Sequence, residues 1–473
     1  MLAVATLARA APAVFGYEHF GDAPVRIEIA ERWARNPHLW HGFAETYQFG
    51  PLHLTLIGGL VRLLGDRLVA ARLLSFAGGL VGVWLLYRIA ERERGPQAAF
   101  WAGLGLALSP LHIQASVTGA SEAVFLALLL GAVLTVLQGD VLGPAVLLGA
   151  AGLVRYDGWM YVPLLGGLLL WRQRNPFRAF ACCAVAAAPA LFWMWVNARW
   201  AGHPLAPIRF IDREHAHLAR AAMESAGPLW TRLEALFYWP VVICVVVTPV
   251  LGFLALWGSA RTLRRREPGW DLVALAWIPA LYFTFRSAVL ADFQPMARFT
   301  IVAAALSLVF AHDALKLLAR PARAVALVVA VATPLVLAAL CWNRAGRLAE
   351  WARPVAPIGT LPPGIPEAAR WMRSNAGARD VVLVDEAVWY LDIPLVFASG
   401  LPEEKLLRAR WPEDFERRFP QNPPTLAVLV ASGRLADYHQ ERFEFRGLPF
   451  CADERYLYAT VYRACAAGRT ASP

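Results

Sequence analysis

Residues 297–342 read ARFTIVAAALSLVFAHDALKLLARPARAVALVVAVATPLVLAALCW. Two apolar runs, 297–315 and 322–342, flank a short basic hinge around Lys316 and Arg320. Each run approaches the roughly 20 apolar residues that a helix needs to cross a hydrocarbon core. Past Trp342 the character changes: from Asn343 onward the chain reads as an ordinary water-soluble domain. The boundary separates a membrane region, 1–342, from a soluble α/β domain, 343–473.

Toward the N-terminus the apolar blocks recur at about 2–17, 68–90, 97–111, 121–138, 141–154, 158–171, 177–197, 233–258 and 270–288, about eleven spans in all. The fold class expected is a polytopic α-helical membrane protein with a C-terminal soluble α/β domain. Composition agrees. The 473 residues are 58% hydrophobic and 17% charged, whereas soluble chains average about 45–50% and 25%. Residues 2–17 have no basic residues before them, so they read as a retained first span rather than a cleaved leader.

The net charge of +10 invites a nucleic-acid reading. The cations instead cluster in short loops between apolar blocks, which is the pattern of cytoplasmic loops. The segment 51–65, PLHLTLIGGLVRLLG, is apolar but short and holds His53 and Arg62. Read as a helix lying at the interface, with the N-terminus inside, it leaves 91–96, 172–176, 261–269 and 313–321 as inner loops, and all four are basic. If it crossed, all four would flip outward. The outer face then carries the long first loop 18–67, the segments 112–120, 155–157, 198–232 and 289–296, and the terminal domain. No internal repeat of the transporter type is visible.

In the terminal domain, PPGIPEAARWMRSN reads as a helix with its start signal. Asp380–Glu386 and Thr425–Ala431 read as buried strands. Leu391–Ala398 reads as an edge strand because Pro394 cannot donate to a ladder. Arg455–Arg463 alternates like a half-buried strand. GxGxxG and P-loop patterns are absent, which argues against nucleotide binding. Cys451 and Cys465 could form a disulfide if the domain lies outside the cytoplasm.

The ionisable residues at span ends gather on the outer side. Asp22 follows the first span. Glu122 opens a span. Arg155 and Asp157 sit in the turn LVRYDGW, and Arg298 opens a late span in QPMARF. Charges beside spans are costly and default to functional candidates. Each also has a plain structural reading: a headgroup anchor for the arginines, a helix cap for Asp22, a favourable first-turn acid for Glu122. Histidines share the bias, with His19, His38, His41, His53, His112, His203, His215 and His217 on outer segments. His215-Ala-His217 is the only seed for a metal site, and its spacing fits no convincing ligand set. No metal or other cofactor is expected, with a divalent ion as the alternative.

The order of motifs resembles the GT-C superfamily of membrane glycosyltransferases. It is most similar to bacterial and archaeal relatives of protein O-mannosyltransferases and aminoarabinose transferases. The likeness rests on Asp22 followed by IAERWARNP, FGPLHLTLIGGLVRLLGD, AARLLSFAGGLVGVWLLYRIAER, AFWAGLGLALSPLHIQAS, SEAVF, LVRYDGW and MARF, then PPGIPEAARWMRSNAGARDVVLVDE. It implies a plasma-membrane enzyme that uses a polyprenyl-phosphate sugar on the outer face, with Asp22 as the catalytic base. The family's first-loop acid is often doubled, whereas here Ala23 follows Asp22.

The chemistry suits the residues. The phosphate is already the leaving group, so a carboxylate need only take the acceptor's proton and arginines stabilise the departing charge. Asp22 is expected as base, Arg298 and Arg155 on the donor phosphate, Glu122 and Asp157 orienting substrate or those arginines, and His53 orienting substrate. A single displacement inverts the anomeric centre. The acceptor is a lipid, glycan or protein hydroxyl; membrane lipid is the setting, and nucleic acid is not a partner. Competing readings are a transporter, a non-catalytic envelope scaffold and a ligase of lipid-linked oligosaccharides.

Overall fold

A computed structural model describes residues 1–37, 49–342, 344–387 and 390–465. Its helices run in the order α1 (Leu2–Phe15), α2 (Ala23–Arg35), α3 (Pro51–Leu64), α4 (Arg67–Arg94), α5 (Pro96–Ala107), α6 (Pro110–Val117), α7 (Glu122–Leu137), α8 (Leu142–Val154) and α9 (Gly158–Gln173). Then come α10 (Pro176–Ala201), α11 (Ala206–Ala226), α12 (Pro228–Val247), α13 (Pro249–Arg265), α14 (Trp270–Phe285), α15 (Ile301–Leu308), α16 (Ala311–Leu315), α17 (Arg320–Cys341) and the short α18 (Arg347–Ala352). Proline sets many of the starts: α3, α5, α6, α10, α11, α12 and α13 carry it in their first two positions, where its missing N–H costs nothing. Asp66 caps α4 by accepting from the Leu68 and Val69 amides.

Among the described residues five helices are long and apolar enough to cross a membrane: Arg67–Arg94, Pro176–Ala201, Pro228–Val247, Trp270–Leu290 and Arg320–Cys341. The pair α6 and α7, bent by 110°, makes a sixth if it is one span. Shorter apolar helices include α1, α3 and α8. The block 97–111 is not one continuous helix, because α5 stops at Ala107 and α6 begins at Pro110. A residue absent from the expected set holds this break. Arg9 of α1 is fully buried and donates to the carbonyls of Ala5 and Ala107 and to His112 Nδ1, at 2.9, 3.1 and 2.7 Å. Non-helical backbone at membrane depth needs such internal partners.

The chain separates into two compact units. One comprises Met1–Gly16, Arg26–Ala339 and Ala352–Ile358; the other comprises Tyr17–Val25, Leu340–Trp351 and the chain from Gly359. In the second, α19 (Ile365–Asn375), β1 (Val382–Val384), α20 (Asp392–Ser399), β2 (Leu406–Arg408), α21 (Pro412–Arg418), β3 (Leu426–Val430), β4 (Arg442–Phe445), β5 (Leu448–Tyr456) and β6 (Ala459–Ala464) form a mixed sheet of order β2-β1-β3-β6-β5-β4. β1 pairs in parallel with β2 and β3, and the remaining pairs are antiparallel. Period-two burial fills both faces. Val382, Val384, Val428 and Val430 pack with Ile365, Met372 and Leu395, while Leu383, Ala427 and Leu429 pack with Phe415 and Tyr462. Helices on both faces make three layers.

Two strand expectations fail here. Leu391–Ala398 lies largely in helix α20: Pro394 sits in its first turn, where no amide is needed, and a helix supplies the crossover between parallel β1 and β2. Arg455–Arg463 is not one strand but the end of β5, a turn at Leu457–Tyr458, and β6. Cys451 and Cys465 are disulfide-bonded, tying β5 to the residue after β6. Residues 17–25 also join this unit: the Tyr17 amide donates to Gly359 O at 2.9 Å, and His19 Nδ1 lies 2.9 Å from Thr360 O. Asp385, just past β1, accepts from the amides of Glu386, Arg434 and Leu435 at 2.8, 3.0 and 2.9 Å. Burial nevertheless pushes its carboxyl up to about 6.

Candidate active site

The turn between α8 and α9 is the nucleus. Helix α8 ends at Val154, Arg155 is extended, and Asp157 precedes α9. Gly158 permits the tight return, since a Cβ there would lie 2.8 Å from the Gly152 backbone. The turn projects Arg155 and Asp157 together. Asp157 Oδ2 accepts from Arg155 Nε and Nη2 at 3.2 and 2.9 Å. Arg155 Nη1 donates to Glu122 Oε1 at 2.6 Å and to Ser121 Oγ at 3.4 Å. Glu122 is the first residue of α7, where the helix dipole favours a negative charge. The side chain of Arg155 is 9% exposed and that of Glu122 4%, so this is a buried pair, whose disruption would strand a charge.

Arg298 comes from a different part of the chain. It lies in the short 3-10 turn Ala297–Thr300 that leads into α15. Arg155, Asp157, Arg298, Phe125, Tyr161 and Phe299 all line one pocket, with walls from α12 and α14. The Phe299 ring has the Arg155 guanidinium 5.6 Å from its centroid and the Arg298 guanidinium 5.5 Å away, a cation–π arrangement. Arg298 brings a second guanidinium to the pocket that Arg155 and Asp157 line.

The other expected residues fall as follows. His53 of α3 is fully buried, in the electrostatic reach of Arg26 and Arg155. Asp22 lies in the turn whose Ala23 amide donates to Phe20 O at 3.0 Å; it belongs to the second unit. His215 and His217, two residues apart on helix α11, do not share a face: the first is buried and the second exposed. Among the described residues no group of three His, Cys, Asp or Glu is placed to hold a metal. His38 and His41 lie outside the described residues.

Sequence reasoning missed several neighbours. Buried Arg26 of α2 sits 4.3 Å from the Phe49 ring centroid. Tyr156 hydroxyl donates to Phe49 O at 3.2 Å and accepts from Trp193 Nε1 at 3.0 Å. His215 stacks on Phe293 at 4.2 Å, and a ladder continues from Phe293 to Phe283 (4.7 Å) and from Phe283 to Trp239 (6.2 Å). Since a carbonyl only accepts, His215 Nδ1 donates to Gln294 O at 3.1 Å. Burial, then the charge of Arg298, pushes its pKa down to about 4, so the ring is neutral beside the pocket. Only the two charges, Arg26 and Glu28, in the otherwise apolar run VRIEIA signalled any of these.

Comparison with known proteins adds three findings. A family model described as alpha-(1->6)-mannopyranosyltransferase, N-terminal domain, matches residues 16–172. The crystal structure of ArnT from Cupriavidus metallidurans bound to undecaprenyl phosphate superposes with a TM-score of 0.61 at 14% identity, over 98% of this chain and 97% of that one. Its apo form gives 0.59 at the same identity, over 98% and 96%. No curated protein sequence matches. At this identity the ArnT likeness speaks for the fold.

Proposed function

Proceeding from the fold of the GT-C membrane glycosyltransferases, which this chain has, we propose that the protein transfers a sugar from a polyprenyl-phosphate donor to an acceptor hydroxyl at the outer membrane face. The observation that carries the reading is the joining of Arg155 and Arg298 in one pocket from positions 143 residues apart. Its support from relatives is the mannosyltransferase match and the undecaprenyl phosphate to which ArnT is bound in its crystal structure.

Arg298 takes the donor phosphate, and Arg155 holds the adjoining wall under the restraint of Glu122 and Asp157. The two acids thus orient an arginine rather than the sugar. Pre-placed guanidinium groups stabilise charge that grows on the leaving phosphate without reorganising. Asp22 takes the acceptor's proton, His53 helps to orient substrate, and one displacement inverts the anomeric carbon. No divalent ion takes part. The N-terminus is cytoplasmic, the chain spans the membrane about eleven times, and α3 lies at the interface. In support, α3 buries one side, at His53, Leu54, Ile57 and Gly58, as a helix lying along an interface does. The boundary at 342/343 separates the transferase region from an extracytoplasmic domain. The Cys451–Cys465 disulfide supports that placement, because such bonds persist in oxidising compartments.

The test is turnover by the purified full chain in proteoliposomes. Sugars on short synthetic polyprenyl phosphates are supplied beside the same sugars on nucleotides, with and without chelator. Transfer from lipid-linked donors alone, indifferent to the chelator, is expected. Transfer from nucleotide sugars, or none across a panel of lipid-linked ones, would overturn the reading.

A further inference from the structure

Helix α11 carries a second feature that the transfer chemistry does not use. Arg209, Arg213, His217 and Arg220 are all exposed. At 100° per residue they fall within about 80° of arc, a single basic stripe three turns long. Among the described residues none of the four makes an ion pair. Arg213 Nε donates to Arg209 O at 3.3 Å and Arg220 Nε to Ala216 O at 3.2 Å, which leaves the terminal guanidinium nitrogens projecting outward. Glu214 lies about 140° from Arg209, off the stripe. Glu224 follows one turn beyond Arg220.

The helix is held so that this face stays out. Asp212, on the same helix, is engaged by Arg286 at 2.7 Å, and Arg286 also binds Asp292 at 3.0 Å. His215 bonds Gln294 on the same side. The position of α11 is equally constrained. It is joined to α10 by residues 202–205 and to α12 by Gly227 alone, and both neighbours are long and apolar enough to cross a membrane. A charged helix tethered so closely at both ends lies in the headgroup layer, on the face that holds Arg298. Phosphate oxygens are the natural partners of guanidinium forks, and a row of fixed cations attracts anionic lipid surfaces.

We propose that the Arg209–Arg213–His217–Arg220 stripe is a docking surface for the phosphate headgroups of anionic bilayer lipids. This needs the membrane reading but not the sugar-transfer reading, and its test requires no turnover.

The detergent-purified full chain is melted, followed by tryptophan fluorescence, with added phosphatidylglycerol, phosphatidylcholine, inorganic phosphate or undecaprenyl phosphate. The wild type is compared with the triple variant R209Q/R213Q/R220Q and with R209K/R213K/R220K. Phosphatidylglycerol should raise the wild-type midpoint by roughly 4 °C, the lysine variant should retain most of that shift, and the glutamine variant should lose it. The substitutions are at exposed positions, so the midpoints without lipid should agree. An equal shift in the glutamine variant, or an equal effect of phosphatidylcholine, would overturn the proposal. So would a stripe-dependent shift produced in full by inorganic phosphate or by undecaprenyl phosphate, which would assign the stripe to a free anion or to the donor lipid.

Discussion

Two arginines mark the two ends of helix α9, and each lies between two carboxylates. Arg155, just before α9, binds Glu122 and Asp157. Arg172, in its last turn, binds Glu93 at 2.8 and 3.0 Å and Asp271 at 2.7 and 2.9 Å. Around Arg172 everything is internal. Arg94 pairs with Asp313 at 3.3 Å and donates to Pro268 O at 2.6 Å, so the ends of α4, α9, α14 and α16 are laced together. Around Arg155 the same arrangement has an extra part: Arg298, sharing the Phe299 ring and the pocket. An arginine saturated by two acids is a structural clamp at either end. In the proposed transfer, Arg298 beside the Arg155 clamp is the residue that meets the donor phosphate. The Arg155 side chain is 9% exposed against 25% for Arg172.

This contrast sets the expected sizes. Arg155→Met should have the largest effect, because it leaves Glu122 buried without its cation, and loss of about 3–5 kcal/mol is expected for such a change. It should be read as a lowered thermal midpoint in detergent. Adding Glu122→Gln should recover much of the stability but not the transfer; recovery of both would make the pair purely structural. Arg298→Gln should leave the midpoint unchanged while lowering transfer by about 10²–10³-fold. A wild-type rate would remove Arg298 from the phosphate. Arg172→Met strands Glu93 and Asp271, 9% and 10% exposed, so it should also lower the midpoint, but with transfer per folded molecule within a few-fold of wild type. A loss as great as that of Arg298→Gln would erase the distinction between the two ends.

The smallest effect concerns Asp385. Its folded pKa, about 6, lies above the ordinary carboxyl value of 3.8. The folded state therefore holds a proton that the unfolded state releases. The associated stability is present below about pH 4 and lost as pH rises to about 6. Wild type minus Asp385→Asn, compared by thermal midpoint from pH 4 to 7, should fall by a few degrees across that window; a flat difference would contradict the assignment.

That a sheet-bearing part follows the apolar helices, and that Glu122, Arg155 and Asp157 meet while Arg155, Asp157 and Arg298 share a pocket, accords with local pattern: runs of apolar residues, and charges at their ends. What stayed hidden depends on contacts between distant residues. Arg9 looks like a single blemish in LAVATLARAAPAVF, and only its bonds to Ala107 and His112 reveal a brace for the α5–α6 break. Tyr17 and His19 follow α1 in sequence yet bond Gly359 and Thr360. Pro394 reads as a sheet-edge residue in sequence because proline marks strand edges and first helical turns alike, and only the β1–β2 crossover decides between them. His215 gave a metal-like spacing in sequence, but a helix turns His217 away.

The central claim is sugar transfer from a lipid phosphate with Asp22 as base. The direct measurement is transfer by the purified wild type beside Asp22→Asn, on the same polyprenyl-phosphate donor and at equal folded concentration. Turnover by the wild type, with the variant reduced by at least about 10²-fold at an unchanged thermal midpoint, is the expected result. Equal turnover by the two proteins would contradict it.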